Sequence, residues 1–278
     1  MCTNCTPTID EATSSEFGER MLDLVNSASI AMMISIGHRT GLFDAMEDGE
    51  SVTSQQLADR SGLNERYVRE WLGAMVVGRI IEYSPGDRIY RLPLEHAAVL
   101  TRSASPNNVA PTMQWFAVFG QVEDDIVRCF YEGGGVPYTA FTRFHDVMAE
   151  ESAQTVVAAL HDHILPLVHE VIDDLNRGIE VLDIGCGAGR AMCALAEAFP
   201  SSRFTGYDFS EEAIGKARAL AEKRQLGNVT FDVRDVADIG EESLYDLVTA
   251  FDAIHDQRDP DQVLDKIRAA LKPDGTLF

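Results

Sequence analysis

The residues best suited to chemistry lie in the stretch VLDIGCGAGR, Val181 to Arg190. Asp183 is followed by Gly185, Gly187 and Gly189, a glycine at every second position. A glycine turn after a strand lets a nucleotide-type ligand approach the backbone, because no Cβ stands in the way. Three readings compete. A P-loop needs G-x-x-x-x-G-K-[ST], and no lysine or hydroxyl residue stands where that pattern requires one, so it is excluded. The dinucleotide fingerprint G-x-G-x-x-G fails at its third glycine, which comes one residue early and leaves Arg190 in its place. A turn in an α/β core that binds nothing is the third. Asp208, 23 residues after Gly185, ends a second strand pattern, where a carboxylate can accept from both ribose hydroxyls. His255, in AIHD, is the residue type that suits a general base near neutral pH, with Asp252 or Asp256 to orient its ring; pocket lining is its other reading. Tyr138, Phe141, Phe144 and His145, in VPYTAFTRFH, suit a cover over a ligand or an apolar acceptor pocket, although aromatic residues at helical spacing equally suit a core. His161 and His163 stand two apart, which on a helix turns them to different faces and argues against a metal site.

These residues need elements to hold them. From Ile179 onward, strand patterns at 179–184, 203–208, 228–233 and 245–251 alternate with helix patterns, and KPDG turns into a last short strand. Such alternation builds a parallel, doubly wound sheet with helices on both faces. The upstream half reads differently. Residues 1–14 read as a flexible tail. A helix pattern starts at Phe17, with Gly37 and Gly41 as breaks. Thr53 and Gln56 form a capping box for a helix at 54–61, and Asn64 caps another at 65–77. Two short strands around Ser84-Pro85-Gly86-Asp87 complete a winged-helix arrangement. Two long amphipathic helix patterns flank the loop Gly133–Pro137. The expected domains are therefore a tail at 1–14, a mainly α winged-helix or dimerisation domain at 15–102, a helical linker and lid at 103–178, and an α/β domain at 179–278.

The net charge of −22 argues against nonspecific nucleic-acid binding, which uses lysine and arginine to displace counterions, and against anionic membrane surfaces. The helix that would read DNA, at 65–77, mixes Glu65 and Glu70 with Arg66 and Arg69. The longest apolar run, 28–37, is too short for a membrane span. The N-terminus lacks the basic and apolar regions of a signal peptide. The five cysteines do not read as a disulfide framework, and Cys2 and Cys5 form a lone pair without the further ligands of a zinc site. A cytoplasmic protein without metal, membrane or nucleic-acid partner is expected.

The spacing Asp-x-Gly-x-Gly-x-Gly resembles motif I of the class I S-adenosylmethionine (SAM)-dependent methyltransferases. With GLFDAM, LADRSGLNERYVREWLGAMV, GVPYTAFTRFHDVMAE, YDFSEEAI and FDAIHDQRDP, it is similar to a subgroup that carries an N-terminal winged-helix domain and acts on small molecules. The resemblance implies a Rossmann-like α/β sheet, SAM as cofactor, a small-molecule acceptor and a homodimer through the N-terminal domain. It implies cofactor contacts from Asp183, Gly185, Cys186, Gly187, Gly189, Asp208 and Phe209. Asp235 would accept from the adenine amino group, Val236 would offer its backbone, and Phe251 would lie beside the cofactor. His255 falls at the family's active-site mouth as base or pocket wall, and Tyr138 and Phe141 fall in the acceptor pocket. The alternative is a winged-helix regulator that binds SAM as a signal. The family sheet continues beyond KPDGTLF, so the chain is expected to be C-terminally truncated, with Leu277 and Phe278 on an exposed edge and a longer version more soluble and more stable.

Overall fold

The computed structural model describes residues 9–278, so Cys2 and Cys5 lie outside the described residues. The chain divides into two compact units, the first running to Ala104 and resuming at Val109–Val136, the second comprising Ser105–Asn108 and Pro137–Phe278. The stretch 103–178 expected as a separate linker is thus shared between the two.

In the first unit, α1 (Glu11–Thr40) starts inside the expected tail, because Asp10 accepts from the amides of Ala12 and Thr13 and caps it. The helix does not break at Gly37. A Cβ there would stand 2.5 Å from the Trp71 ring, so this glycine serves close packing, and Gly41, at φ 72°, ends the helix in the left-handed conformation. By length and composition alone α1 is apolar enough to cross a membrane, although the run within it looked too short by itself. Its second half packs into the unit's core through Ala31, Ile34 and His38. The capping box of Thr53 and Gln56 starts α2 (Ser54–Ser61). Asn64 starts α3 (Glu65–Val77). Two strands, β1 (Glu82–Ser84) and β2 (Ile89–Arg91), pair antiparallel. Buried Trp71 donates its indole N–H to the Met33 carbonyl at 2.8 Å and meets Phe43 edge-on at 5.1 Å. The unit continues through α4 (Leu94–Leu100), α5 (Trp115–Gly120) and α6 (Glu123–Glu132). The last two correct the expectation of one long helix: the run is interrupted after Gly120, a poor helix former.

In the second unit a 3-10 turn at Tyr138–Ala140 precedes α7 (Phe144–Ser152), which is followed by π-helical turns at Ala153–Val157 and Leu160–Ile164, a 3-10 turn at Leu165–Val168, and α8 (His169–Arg177). The sequence pattern suggested one long α-helix here as well. Pro166 has no N–H to donate and its ring collides with a preceding carbonyl in α geometry, which accounts for the lower break. The sheet holds β3 (Glu180–Ile184), β4 (Arg203–Asp208), β5 (Val229–Val233), β6 (Tyr245–Thr249) and β7 (Leu271–Leu277). All neighbours are parallel, in the order β5-β4-β3-β6-β7. Val181–Ile184 of β3 are buried, as a central parallel strand covered on both faces requires. The crossovers carry α9 (Arg190–Ala198), α10 (Glu211–Lys223) and α11 (Pro260–Ala270). β7 starts earlier than expected: Tyr245 faces Leu271, then Leu247 faces Thr276, so Lys-Pro-Asp-Gly bulges out of the strand. Strand order reverses between β3 and β6, which opens a crevice at their C-terminal ends.

Side-chain volume is limiting at one point beneath that crevice. A Cβ on Gly206 of β4 would stand 2.6 Å from the Phe231 ring and 2.8 Å from Cys186 Sγ, whereas one on Gly215 of α10 meets nothing within 4 Å. Gly206→Ala should therefore lower stability by about 1–3 kcal/mol, and Gly215→Ala should raise it by about 1 kcal/mol. Thermal unfolding of the two variants checks the opposite signs.

Candidate functional site

The glycine loop joins β3 to α9 at this crevice. Gly185, Gly187 and Gly189 all adopt positive φ, at 68°, 52° and 68°, where a side chain is strained. Their surroundings differ. A Cβ on Gly185 would meet Ala253 at 2.5 Å, and one on Gly189 would meet Phe231 at 2.6 Å and Ala217 at 2.7 Å. Those two glycines let the loop pack against its own domain. A Cβ on Gly187 would meet nothing within 4 Å, so this glycine keeps space open above the loop. Backbone bonds hold the turn: the Tyr207 carbonyl accepts from the amides of Gly185 at 2.8 Å and Cys186 at 3.0 Å, and the Cys186 carbonyl accepts from Gly189 at 2.9 Å. Asp208, at the end of β4, accepts from the Gly187 amide through Oδ2 and from the Ser210 amide through Oδ1, both at 2.9 Å. Ser210 in turn caps α10.

A cavity of about 280 Å³ lies over the loop. Its floor is Asp183, Gly185, Cys186, Gly187 and Ala188; its far walls are Phe251 and Asp252 on one side and Met148, Ser152 and Thr155 on the other. Asp183 is buried, and its carboxylate accepts from the Thr249 hydroxyl at 2.7 Å. Parallel pairing of β3 with β6 sets Asp183 opposite Thr249. Burial pushes the Asp183 carboxyl up to about 7, against the opposing pull of the Thr249 hydrogen bond. Burial also pushes the Cys186 thiol well up, so it is a neutral wall group. Asp252 turns at a positive φ of 59°, an uncommon conformation for a non-glycine residue that re-aims the chain after β6.

Of the expected site residues, Tyr138, Phe141, Phe209, Asp235, Val236 and His255 do not border this cavity, whereas Phe251 and His145 do. Tyr138 packs on Phe209 at 5.4 Å, on Phe144 at 4.7 Å, and more loosely on Phe141 at 6.5 Å. Its hydroxyl is pushed up by burial and by the nearby Asp256 and Asp208 carboxylates. The aromatic set therefore collects beside Asp208, at the end of β4. His145 reaches Ser210 Oγ with Nε2 at 3.0 Å, and Asp146 pairs with Lys216 at 2.5 Å, two polar ties between α7 and α10. Val236 is buried, and Asp235 accepts from the Ala237 amide at 2.9 Å. His255 is exposed and does not border the cavity; Asp252 lies 3.6 Å from its Nδ1 and Asp256 3.4 Å from its Nε2. Sequence reasoning missed the wall from Met148 to Val156, Thr249, and Arg190, which also borders the cavity. Only Arg190 carried a signal, as the residue directly after the third glycine.

This donor set fits SAM. Gly187 leaves open space, Asp208 keeps lone pairs on both oxygens, and Asp183 offers a cation a buried carboxyl group. Comparison with known proteins leads to the same class. Residues 28–102 match the family described as the Rv2258c-like winged HTH domain, and residues 175–278 match a methyltransferase domain. The ubiquinone biosynthesis O-methyltransferase of Coxiella burnetii (strain RSA 493 / Nine Mile phase I) is 33% identical over 103 residues, which is 37% of this chain and 43% of that one. The methyltransferase ungE' of Aspergillus campestris is 25% identical over 254 residues, 85% of this chain and 67% of that one. The chain thus spans less than half the length of the first curated relatives it matches. Among solved structures, the mitomycin 7-O-methyltransferase MmcR superposes with a TM-score of 0.67 at 21% identity, over 96% of this chain and 80% of that one. Human N-acetylserotonin methyltransferase in complex with SAM superposes with a TM-score of 0.58 at 18% identity, over 98% and 80%. At these identities the superpositions speak for the fold.

The raised Asp183 carboxyl makes stability depend on pH. Its folded value near 7 lies above the ordinary 3.8, so its contribution is complete below about pH 4 and is lost as pH rises to about 7. Asp183→Asn keeps the Thr249 hydrogen bond and removes the charge. Its stability relative to the unchanged protein should rise by about 2–3 kcal/mol between pH 5 and pH 8. Urea unfolding at both pH values measures this, and a constant difference would show that Asp183 does not titrate in that range.

Proposed function

We propose that this chain, in which a winged helix–turn–helix domain precedes a methyltransferase domain of the class I SAM-dependent fold, transfers a methyl group from SAM to a small organic acceptor. The observation that carries this reading is Gly187: it lies at positive φ with free space where a Cβ would be, between a buried carboxylate and the Asp208 carboxylate. SAM supplies an activated methyl group on a sulfonium centre. The chain supplies position and dryness. The backbone at Gly187 lies against the cofactor, Asp183 faces its positive charges, and Asp208 takes the ribose hydroxyls with its free lone pairs. Phe209 offers aromatic surface to the adenine side, with Val236 and Asp235 at the end of the next strand, and Tyr138 and Phe141 are assigned to the acceptor pocket. The wall from Met148 to Val156 keeps water from the reacting atoms, which favours in-line transfer. Where the acceptor must lose a proton, His255 is the candidate base, with Asp252 and Asp256 beside its ring.

The winged helix is assigned to dimerisation rather than DNA reading. Both arginines in the first turns of α3 pair with glutamates of the same helix, Arg66 with Glu70 and Arg69 with Glu65, so little positive charge remains for phosphates. The first half of α1 exposes Phe17, Leu24 and Val25, which helical spacing puts on one face, an apolar strip suited to a second copy. Sedimentation should give about twice the chain mass, and a gel shift at moderate salt should show no specific DNA complex; a monomer, or a specific shift, would reverse this assignment.

Calorimetric titration with SAM and its demethylated product tests the central reading. Both should bind. Gly187→Val should abolish binding by filling the open space, and Asp208→Ala should weaken it by about 1.5–3 kcal/mol. No heat of binding to the unchanged protein would overturn the reading.

A further inference from the structure

Arg190 has no place in the contacts described so far, yet its position is distinctive. It is the first residue of α9, directly after Gly189, and it borders the cavity over the glycine loop. The other ionisable residues on that cavity's lining are Asp183, Asp252, Glu151, His145 and Cys186. Arg190 is therefore the one permanent cation in a lining that carries three carboxyl groups. Among the described residues no carboxylate is paired with it, whereas Lys216 on the neighbouring helix is held by Asp146 and Glu212. The start of α9 adds to this. Its N-cap is Gly189, which offers no side-chain cap, so the first amides of the helix present partial positive charge at the same end of α9 as Arg190.

SAM carries charges of both signs: a sulfonium, an ammonium and an α-carboxylate. The carboxyl-lined part of the cavity suits the two cations. The carboxylate of the cofactor placed there would face like charges in a poorly screened pocket. A guanidinium offers it paired N–H donors in a planar fork.

We propose that Arg190, supported by the uncapped start of α9, recognises the α-carboxylate of SAM and so fixes which way round the amino-acid end of the cofactor lies. This rests on the reading of the cavity as a SAM site. Arg190 is then what separates SAM from any sulfonium that lacks the acid group, while Asp183 serves the positive groups shared by both.

The test uses two ligands and four proteins. Decarboxylated SAM keeps the sulfonium and the amine and lacks only the carboxylate. Affinities for SAM and for decarboxylated SAM are measured by calorimetry on the unchanged chain and on Arg190→Gln, Arg190→Lys and Lys223→Gln. Lys223 lies on α10, on a groove that Arg190 also borders but away from the SAM cavity. The unchanged chain should prefer SAM by about tenfold or more, the scale of one charge-assisted hydrogen-bonded contact. Arg190→Gln should remove most of that preference by weakening SAM alone. Arg190→Lys should restore part of it, and Lys223→Gln should leave it unchanged. If Arg190→Gln keeps the full preference, or weakens both ligands equally, the assignment of the carboxylate to Arg190 is wrong while the SAM site stands. If the unchanged chain binds neither ligand, the SAM reading and this proposal fall together.

Discussion

The turn from β3 into α9 leaves no room for a side chain at its two outer glycines, and the site is built around that limit. Gly185 is pressed against Ala253, and Gly189 against Phe231 and Ala217. This packing draws the loop down onto the ends of β4 and β6 and brings Asp208 to the Gly187 amide. A larger residue at either outer glycine would lift the loop and separate Asp183 from the rest of the pocket. The middle glycine has the opposite surroundings. The outer two remove space and Gly187 preserves it, and a cradle for a cofactor backbone contact needs both.

Electrostatics follow from the same geometry. A carboxylate buried next to β6 is costly unless something offsets its charge. The Thr249 hydroxyl offsets part of it, and the carboxyl still holds its proton up to about pH 7. A cationic ligand in the cavity would stabilise the ionised form, so ligand binding and proton release at Asp183 are coupled. In a chain of net charge −22, the acids at this site act singly, each fixed by a different strand end, rather than as a diffuse field.

Much of this was legible in the sequence because local rules governed it. The Thr53–Gln56 box, the Asn64 and Ser210 caps and the alternation of strands with helices each rest on a few neighbouring residues. The glycine spacing with Asp183 and Asp208 also survives as a linear pattern. What was not legible depended on register and packing. Thr249 became a site residue only because β6 lies beside β3 in the register that sets it opposite Asp183. Gly37 reads as a helix breaker until Trp71 is seen against it. Arg190 reads as a failed glycine of another motif until the cavity beside it is visible. The start of α1 was misread because its cap, Asp10, lies in a polar stretch without apolar periodicity.

The π-helical turns below α7 have a consequence for comparing this protein with others. Each such turn closes a hydrogen bond to the fifth residue rather than the fourth, so it holds one more residue than an α-turn. Two of them stand between Ala153 and Ile164. Side chains before Ala153 and after Leu165 therefore follow different rotational frames. In a relative whose helix is regular here, a gap-free alignment would match Met148 correctly and then pair residues beyond Thr155 with partners that face another way. An insertion or deletion of one residue in this stretch would accordingly act as a re-aiming of the pocket wall, not as a simple change in length.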